Sequence, residues 1–229
     1  MVGGPRGSGS EVLNLCFHGI GSPGRALEPD EELYWVGEAQ FENLLDVIGR
    51  YPSVRITFDD SNASDAALAL PALRRRRLKA TFFIISGRLD HPGSLTSAEV
   101  RSLAQEGMTV GSHGMRHLPW RSLDDADLQE ELGGAADVIA EAAGQPVHQV
   151  ACPFGSYDRR VLSAIRHHGF SRVYTVDGGP ARSDAWLQSR YTVRADDTPA
   201  GIERLARSPH GNALPALMRR GKSAVKRWR

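Results

Sequence analysis

The sequence predicts an α/β fold with a mostly parallel sheet or barrel, and three observations carry that expectation. Short β-rich runs alternate along the chain with stretches of helical apolar spacing, a pattern that places helices around parallel strands. The β-rich runs end in residues able to do chemistry, and in parallel α/β folds functional groups gather at the carboxyl ends of strands. Finally, 229 residues with no internal repeat and no compositional break suit one domain with one sizeable core.

Residues 1–10, MVGGPRGSGS, are expected to be disordered. The first strand runs from Val12 to Phe17 and ends at His18, ahead of the Gly/Pro-rich loop Gly19–Gly24. Phe41, Leu44, Leu45 and Ile48 have helical spacing and predict a helix over 37–49. Val54–Phe58 is a β-rich run that stops at Asp59. A helix follows over 64–77 despite Pro71, closed by Arg74–Arg77, whose charges complement a helix C-terminus and read as a solvated face. Further strands are expected at 80–85, 108–111, 147–150 and 171–176, and further helices at 96–106, 122–143, 158–168 and 199–207. The 96–106 helix begins on Thr96 with Glu99 three residues on, the pattern of a capping box.

A composition of 41% hydrophobic and 24% charged residues is that of an ordinary globular domain. No apolar run approaches the roughly 18 residues of a membrane span, and the start has no apolar core of an export signal, so a cytoplasmic location is expected. Two cysteines, Cys16 and Cys152, make no disulfide framework and read as small buried hydrophobes. The net charge of +1 hides an asymmetry: residues 204–229 carry eight Lys/Arg and no acid, while 1–203 hold 20 basic and 27 acidic residues. The basic tail, 208–229, reads either as a solvated end or as a contact with an anionic membrane face. The acidic body lacks a basic stripe with interleaved aromatics, which argues against nucleic acid.

Asp59-Asp60 ends a hydrophobic strand in two repelling carboxylates, which is costly without a cation or hydrogen bonds to compensate. Neighbours on extended backbone point to opposite sides, so a turn is needed before the two can serve one site in different roles. The same residues, with Ser61 and Asn62, also read as a helix cap. Ser112-His113-Gly114-Met115-Arg116-His117 holds two histidines four apart, which on a helical turn share a face and can ligate one metal; as an isolated pair they also read as surface histidines. Asp60 with His113 and His117 makes two imidazoles and one carboxylate, a ligand composition of catalytic metal sites that keep open positions. Zinc is the default for such a set, with Co2+ or Ni2+ also suited.

Thr57-Phe58-Asp59-Asp60, Ser112-His113-x-x-x-His117 and Pro153-Phe154-Gly155, in that order, resemble the first three motifs of the polysaccharide deacetylase family, the NodB-like domain of carbohydrate esterase family 4. The resemblance covers roughly residues 11–205 and gives a deacetylase domain over 11–207. It implies a distorted (β/α) barrel of about seven strands that hydrolyses N-acetyl groups of N-acetylglucosamine-type sugars; with no apparent export signal, a small or lipid-linked intracellular glycan is the expected substrate. It further implies Asp59 as general base, Asp60, His113 and His117 as metal ligands, and Pro153, Phe154 and Gly155 as groove wall with a backbone N–H for the oxyanion. Asp184-Ala185-Trp186 loosely resembles a fourth motif, with Trp186 as a sugar-binding wall or a packing residue.

Two departures stand out. The family's third motif carries an arginine two residues before its proline, where this chain has Ala151. The poly-N-acetylglucosamine and exopolysaccharide deacetylase subgroup is similar here, and an arginine from a later strand is the expected substitute: Arg190, with Arg194 the alternative. The usual C-terminal Leu-x-His motif is also absent after residue 170, and His210 sits in a loop-like Ser-Pro-His-Gly. Leu15-Cys16-Phe17-His18 resembles the permuted arrangement of the same subgroup, which implies His18 as the acid; a hydrogen-bonded core histidine is the other reading. A silent glycan- or metal-binding module of the same fold, or a metal-dependent hydrolase of a non-sugar amide, are the alternative functions.

Overall fold

The computed structural model describes residues 9–208. Residues 1–8, His210 and all but the first residue of the basic tail lie outside the described residues.

Seven parallel strands close into a barrel. They are β1 (Glu11–Phe17), β2 (Val54–Phe58), β3 (Ala80–Ile84), β4 (Thr109–Ser112), β5 (Gln149–Ala151), β6 (Arg172–Thr175) and β8 (Leu187–Thr192). Each pairs with the next, β6 pairs with β8, and β8 pairs with β1, which also pairs with β2. The short β7 (Ala181–Arg182) is antiparallel to the start of β1 and stands outside the ring. Strand β8 is needed to close the barrel, yet its sequence Leu-Gln-Ser-Arg-Tyr-Thr has no clean apolar alternation. Its inward face is polar, because Gln188 and Arg190 are buried inside the barrel rather than against helices.

Strand alternation assigns one set of residues to the helices and the other to the barrel interior. Leu13, Leu15, Phe17, Ile56, Phe58, Phe82 and Ile84 form the outer core with Phe41, Leu44, Leu45, Leu73 and Leu103 from the helices. Phe17, Phe58 and Phe82 stack across three adjacent strands, with ring centroids 5.5 and 4.7 Å apart. The inward set is mostly polar, and Phe83, Ala151 and Tyr174 make an apolar cluster inside.

The helices are α1 (Glu38–Ile48), α2 (Leu70–Arg76), α3 (Ser97–Gln105), α4 (Asp125–Gln129), α5 (Ala135–Ala143), α6 (Arg159–His167) and α7 (Pro199–Arg207). The Thr96–Glu99 capping box is present, with Glu99 N–H on Thr96 Oγ1 at 3.2 Å and Thr96 N–H on Glu99 Oε2 at 2.8 Å. The expected helix over 64–77 instead opens with a π-turn, Asp65–Ala69, before α2. The expected helix over 122–143 is split by another, Glu130–Gly134, between α4 and α5. Apolar spacing cannot distinguish a π-turn from a regular one, and such turns concentrate near functional sites. Arg74, Arg75 and Arg76 pair with Glu106, Glu42 and Asp46 on the surface, as expected of a solvated face. No helix among the described residues is long and apolar enough to cross a membrane.

Candidate active site

A cavity of about 300 Å3 opens at the carboxyl ends of the strands. Its lining includes His18, Asp59, Asp60, His113, His117 and Phe154, so the carboxyl ends of β1, β2, β4 and β5 converge on one space.

The Asp59-Asp60 pair is separated by a sharp turn. Asp60 has φ 77° and Ser61 φ 59°, left-handed values that side chains rarely adopt and that cost on the order of 1–3 kcal/mol each. The strain is held in place by Ser61, whose hydroxyl accepts from Ile85 N–H at 2.7 Å and whose carbonyl accepts from Leu95 N–H at 2.8 Å. The turn directs the two carboxylates to different partners. No side-chain cap forms at the start of the following π-turn, so these residues are not the helix cap that their types also allowed.

Arg190, from mid-β8, grips Asp59 with two hydrogen bonds, Nη1 to Oδ1 and Nη2 to Oδ2, both 2.7 Å. Both side chains are fully buried. Nη1 also donates to Thr57 Oγ1 at 3.2 Å and Nε to the Thr175 carbonyl at 3.3 Å, while the guanidinium lies against Phe83 and Tyr174. Arg190 thus takes the place for which the missing arginine at Ala151 called. Arg194 does not: it faces Asp196 and the Tyr34 ring. Burial opposes ionisation of Asp59, but the Arg190 charge beside it holds its carboxyl well below the usual range.

His113 and His117 lie on a loop rather than on the helical turn that their spacing suggested. Gly114 has φ 81° and His117 φ 57°, so the chain folds back on itself. The loop wraps the buried carboxylate of Glu131, which accepts from the N–H groups of Met115 at 2.9 Å and Arg116 at 3.1 Å and from Trp120 Nε1 at 3.3 Å. A Cβ at residue 114 would sit 2.4 Å from Glu131 Oε2, so glycine is required there. Glu131 belongs to the π-turn, so the helix departs from regular geometry at the residue that holds this loop.

Asp60, His113 and His117 each offer one ligand atom within 4.8 Å of the others. Asp60 Oδ1 lies 3.4 Å from His117 Nε2 and 3.6 Å from His113 Nε2, and it is buried with no hydrogen-bond partner. A buried carboxylate oxygen without a donor is costly, and two imidazole nitrogens aimed at the same point make the set fit a divalent cation. Burial above all lowers the His113 pKa to about 4, leaving it neutral and able to ligate. Its Nδ1 faces the Ala151 carbonyl at 2.9 Å, which makes Nδ1 the protonated nitrogen and frees Nε2.

Sequence reasoning missed Glu28. Its Oε1 lies 3.2 Å from His117 Nδ1 and also accepts from Arg88. A carboxylate behind a ligating histidine orients the ring and raises its basicity. Glu28 is 89 residues from His117 in a segment to which the sequence assigned no element, so no local pattern could have found the contact.

His18 lines the cavity, its ring 5.2 Å from that of Tyr34, and its buried Nδ1 has no hydrogen-bond partner. One nitrogen of His18, an oxygen of Asp59 and Cys16 Sγ lie within 4.8 Å of one another. Cys16 is buried and free, and burial pushes its thiol pKa up, consistent with a small apolar filler. Pro153-Phe154-Gly155 forms a 3-10 turn with Phe154 at φ 56°. Phe154 tilts over His117 with centroids 4.3 Å apart and is 56% exposed, forming the cavity rim. Proline has no N–H, and Gly155 N–H donates to the Cys152 carbonyl at 3.0 Å, so Phe154 N–H is the turn's candidate oxyanion donor.

Trp186 is not brought to this cavity. It precedes β8, at the opposite end of the barrel, where its indole donates to the Phe170 carbonyl at 2.9 Å and carries Arg166 on its face at 3.9 Å. Its role is packing. Asp184 pairs with Arg182 instead of entering the site.

Residues 48–173 match the family model described as polysaccharide deacetylase. The Bacillus subtilis protein YxkH, whose name places it among polysaccharide deacetylases, is 25% identical over 201 residues, covering 82% of this chain and 72% of its own. The Streptococcus pyogenes deacetylase PplD, solved with acetate, superposes with a TM-score of 0.74 at 19% identity, over 86% of this chain and 98% of its own. IcaB from Ammonifex degensii superposes at 0.70 with 21% identity, over 89% and 99%. The matched segment spans more than half of the chain and contains Asp59, Asp60, His113, His117 and the Pro153–Gly155 turn, so the chain belongs to the polysaccharide deacetylase family, as a carbohydrate deacetylase with the NodB-like barrel.

Proposed function

We propose that this chain hydrolyses the N-acetyl group of an N-acetylglucosamine-type sugar, freeing acetate and an amine, with a divalent metal held by Asp60, His113 and His117. The observation that carries the reading is the pairing of an unpartnered Asp60 oxygen, aimed at two imidazole nitrogens, with a separate ionised Asp59 clamped by Arg190. When bound, the metal polarises the acetamide carbonyl and makes water a better nucleophile; zinc suits this donor set, as do cobalt and nickel.

Asp59 takes the proton of the attacking water, a task that needs an ionised carboxylate, and Arg190 keeps it ionised. Phe154 N–H steadies the negative charge that develops on the acetamide oxygen. His18 delivers a proton to the departing nitrogen, which leaves poorly as an anion. The exposed faces of Phe154 and Val176, with Tyr34, offer apolar surface for the sugar ring. The Asp59–Arg190 pair weighs against a silent binding module, which has no use for a buried, ionised base.

Acetate release from a panel of N-acetylglucosamine conjugates, with and without chelator, tests the reading. Activity is expected to vanish on full metal removal and in Asp60→Ala. Activity that survives both would sink the metal mechanism, and silence on every acetylated sugar would favour the binding-module alternative.

A further inference from the structure

The opposite end of the barrel holds a second cavity of about 420 Å3, at the amino-terminal mouth of β2–β6. Its lining includes Arg55, Arg77, Lys79 and Arg172 and, among the described residues, no Asp or Glu. Arg55 lies on the inward row of β2, two residues below Thr57 and four below Asp59. Arg172 opens β6, beside Gln149 of β5 in the parallel register. Among the described residues neither Arg55 nor Arg172 makes a side-chain hydrogen bond or an ion pair, and Arg55 Nη1 is buried with no partner at all. The two are close enough that the charge of Arg172, after burial, is what most disfavours the charged form of Arg55. Tyr174 and Gln149, joined by a 3.1 Å hydrogen bond, supply neutral polar groups to the same space.

This arrangement is costly as it stands. Arginine stays charged in proteins, and a partly buried guanidinium with a like-charged neighbour and no acceptor forfeits solvation without return. The amino-terminal face of such barrels ordinarily serves stability, and an unpaired arginine couple there serves it badly. Elsewhere in this protein a buried arginine is fully paired, as Arg190 with Asp59 shows. A ligand with several acceptor oxygens would resolve the mismatch, since guanidinium forks match phosphate geometry. Lys79 Nζ is taken by the Glu106 carbonyl at 2.9 Å, so the two arginines carry the uncompensated charge, and a pair of them calls for more than one negative charge, which a lone carboxylate does not supply.

We propose that the amino-terminal mouth of the barrel is a binding site for a phosphate dianion, free or borne on a small ester, held by Arg55 and Arg172. The site is separate from the catalytic cavity, with the layer of Thr57, Phe83, Tyr174 and Arg190 between them.

Calorimetric titration of the protein, kept in chelator so that no metal competes for anions, tests this with inorganic phosphate, glucose 6-phosphate and acetate as probes. Phosphate is expected to bind one site, with affinity falling at least tenfold in Arg55→Gln and Arg172→Gln and staying within a few-fold in Arg172→Lys. In phosphate-free buffer the Gln variants should melt no lower than the parent, because one of two like charges is gone; that measurement separates loss of the site from loss of the fold. Tighter binding of glucose 6-phosphate assigns the site to esters, and preference for the free ion assigns it to phosphate itself. Absence of phosphate binding, binding undiminished in the Arg55→Gln/Arg172→Gln double variant, or acetate binding as tightly as phosphate would each overturn the proposal.

Discussion

The segment from 48 to 173 and the strands that flank it contribute differently to one cavity. The segment carries the proposed metal ligands Asp60, His113 and His117, the proposed base Asp59 and the Pro153–Gly155 turn, and it is the part that matches the family model. His18 and Arg190 come from β1 and β8, on either side of that segment in sequence. In space they are not peripheral, because β1 lies between β2 and β8 and its end faces Asp59. The difference teaches that barrel closure makes the order of strands in the chain secondary. A side chain can reach the same point from the first strand or the last, provided its strand ends on the same ring.

Substitutions on the two sides of this division should separate their roles. The largest effect is expected within the matched segment: Asp59→Asn removes the base and should lower kcat by about 10²–10⁴-fold, the range of general base catalysis, with metal affinity little changed. An Asp59→Asn enzyme that keeps near-parent kcat would move the base elsewhere.

Next comes His18→Gln in the flank, with a loss of about 10²–10³-fold in kcat on acetamides if it supplies the leaving-group proton. Substrates with a good leaving group, such as an acetate ester of a phenol, should be hydrolysed almost normally, since they need no acid. An equal loss on both substrate types would assign His18 a structural role.

Arg190→Gln should cost about 3–5 kcal/mol of stability, because it strands a buried carboxylate. The paired Asp59 has its pKa depressed in the folded state, so its contribution is present above the unfolded value of about 3.9 and is lost as pH falls through the lower folded value. Without Arg190, burial dominates and raises the Asp59 pKa, so the acid limb of the kcat/KM profile should move to higher pH. Arg194→Gln, the control, should leave that limb in place.

The smallest effect is expected at Glu28. Glu28→Gln should weaken metal binding by about 10–100-fold in chelator competition while kcat at saturating metal stays near the parent value. Unchanged metal affinity would reduce the Glu28–His117 contact to a surface pair.

Much of the site was legible because its parts announce themselves locally. Asp59-Asp60 ends an apolar strand where carboxylates are otherwise costly, and His113-x-x-x-His117 repeats a metal-binding residue at the next strand end but one. Arg190 was reachable only through what Ala151 lacks. Glu28 and Glu131 were not legible at all: Glu28 meets the histidine loop from 89 residues away, and Glu131, though only 16 residues from Met115, has no local pattern that marks it as a contact. For Trp186 the packing reading stands and the sugar-wall reading finds no support, for a related reason. A tryptophan beside an aspartate says nothing about which end of a strand it occupies, and here it precedes β8.

The sequence by itself determined the α/β alternation, the strand ends that bear chemistry and the two classes of residue that such strands separate. These are local consequences of apolar period and residue type. Only the tertiary structure decided that β8 closes the ring, that Arg190 and no other arginine clamps Asp59, and that the histidine loop is pinned by a buried glutamate. Those outcomes depend on contacts between segments more than a hundred residues apart in the case of Arg190 and Asp59, and no periodicity records which distant strand becomes a neighbour.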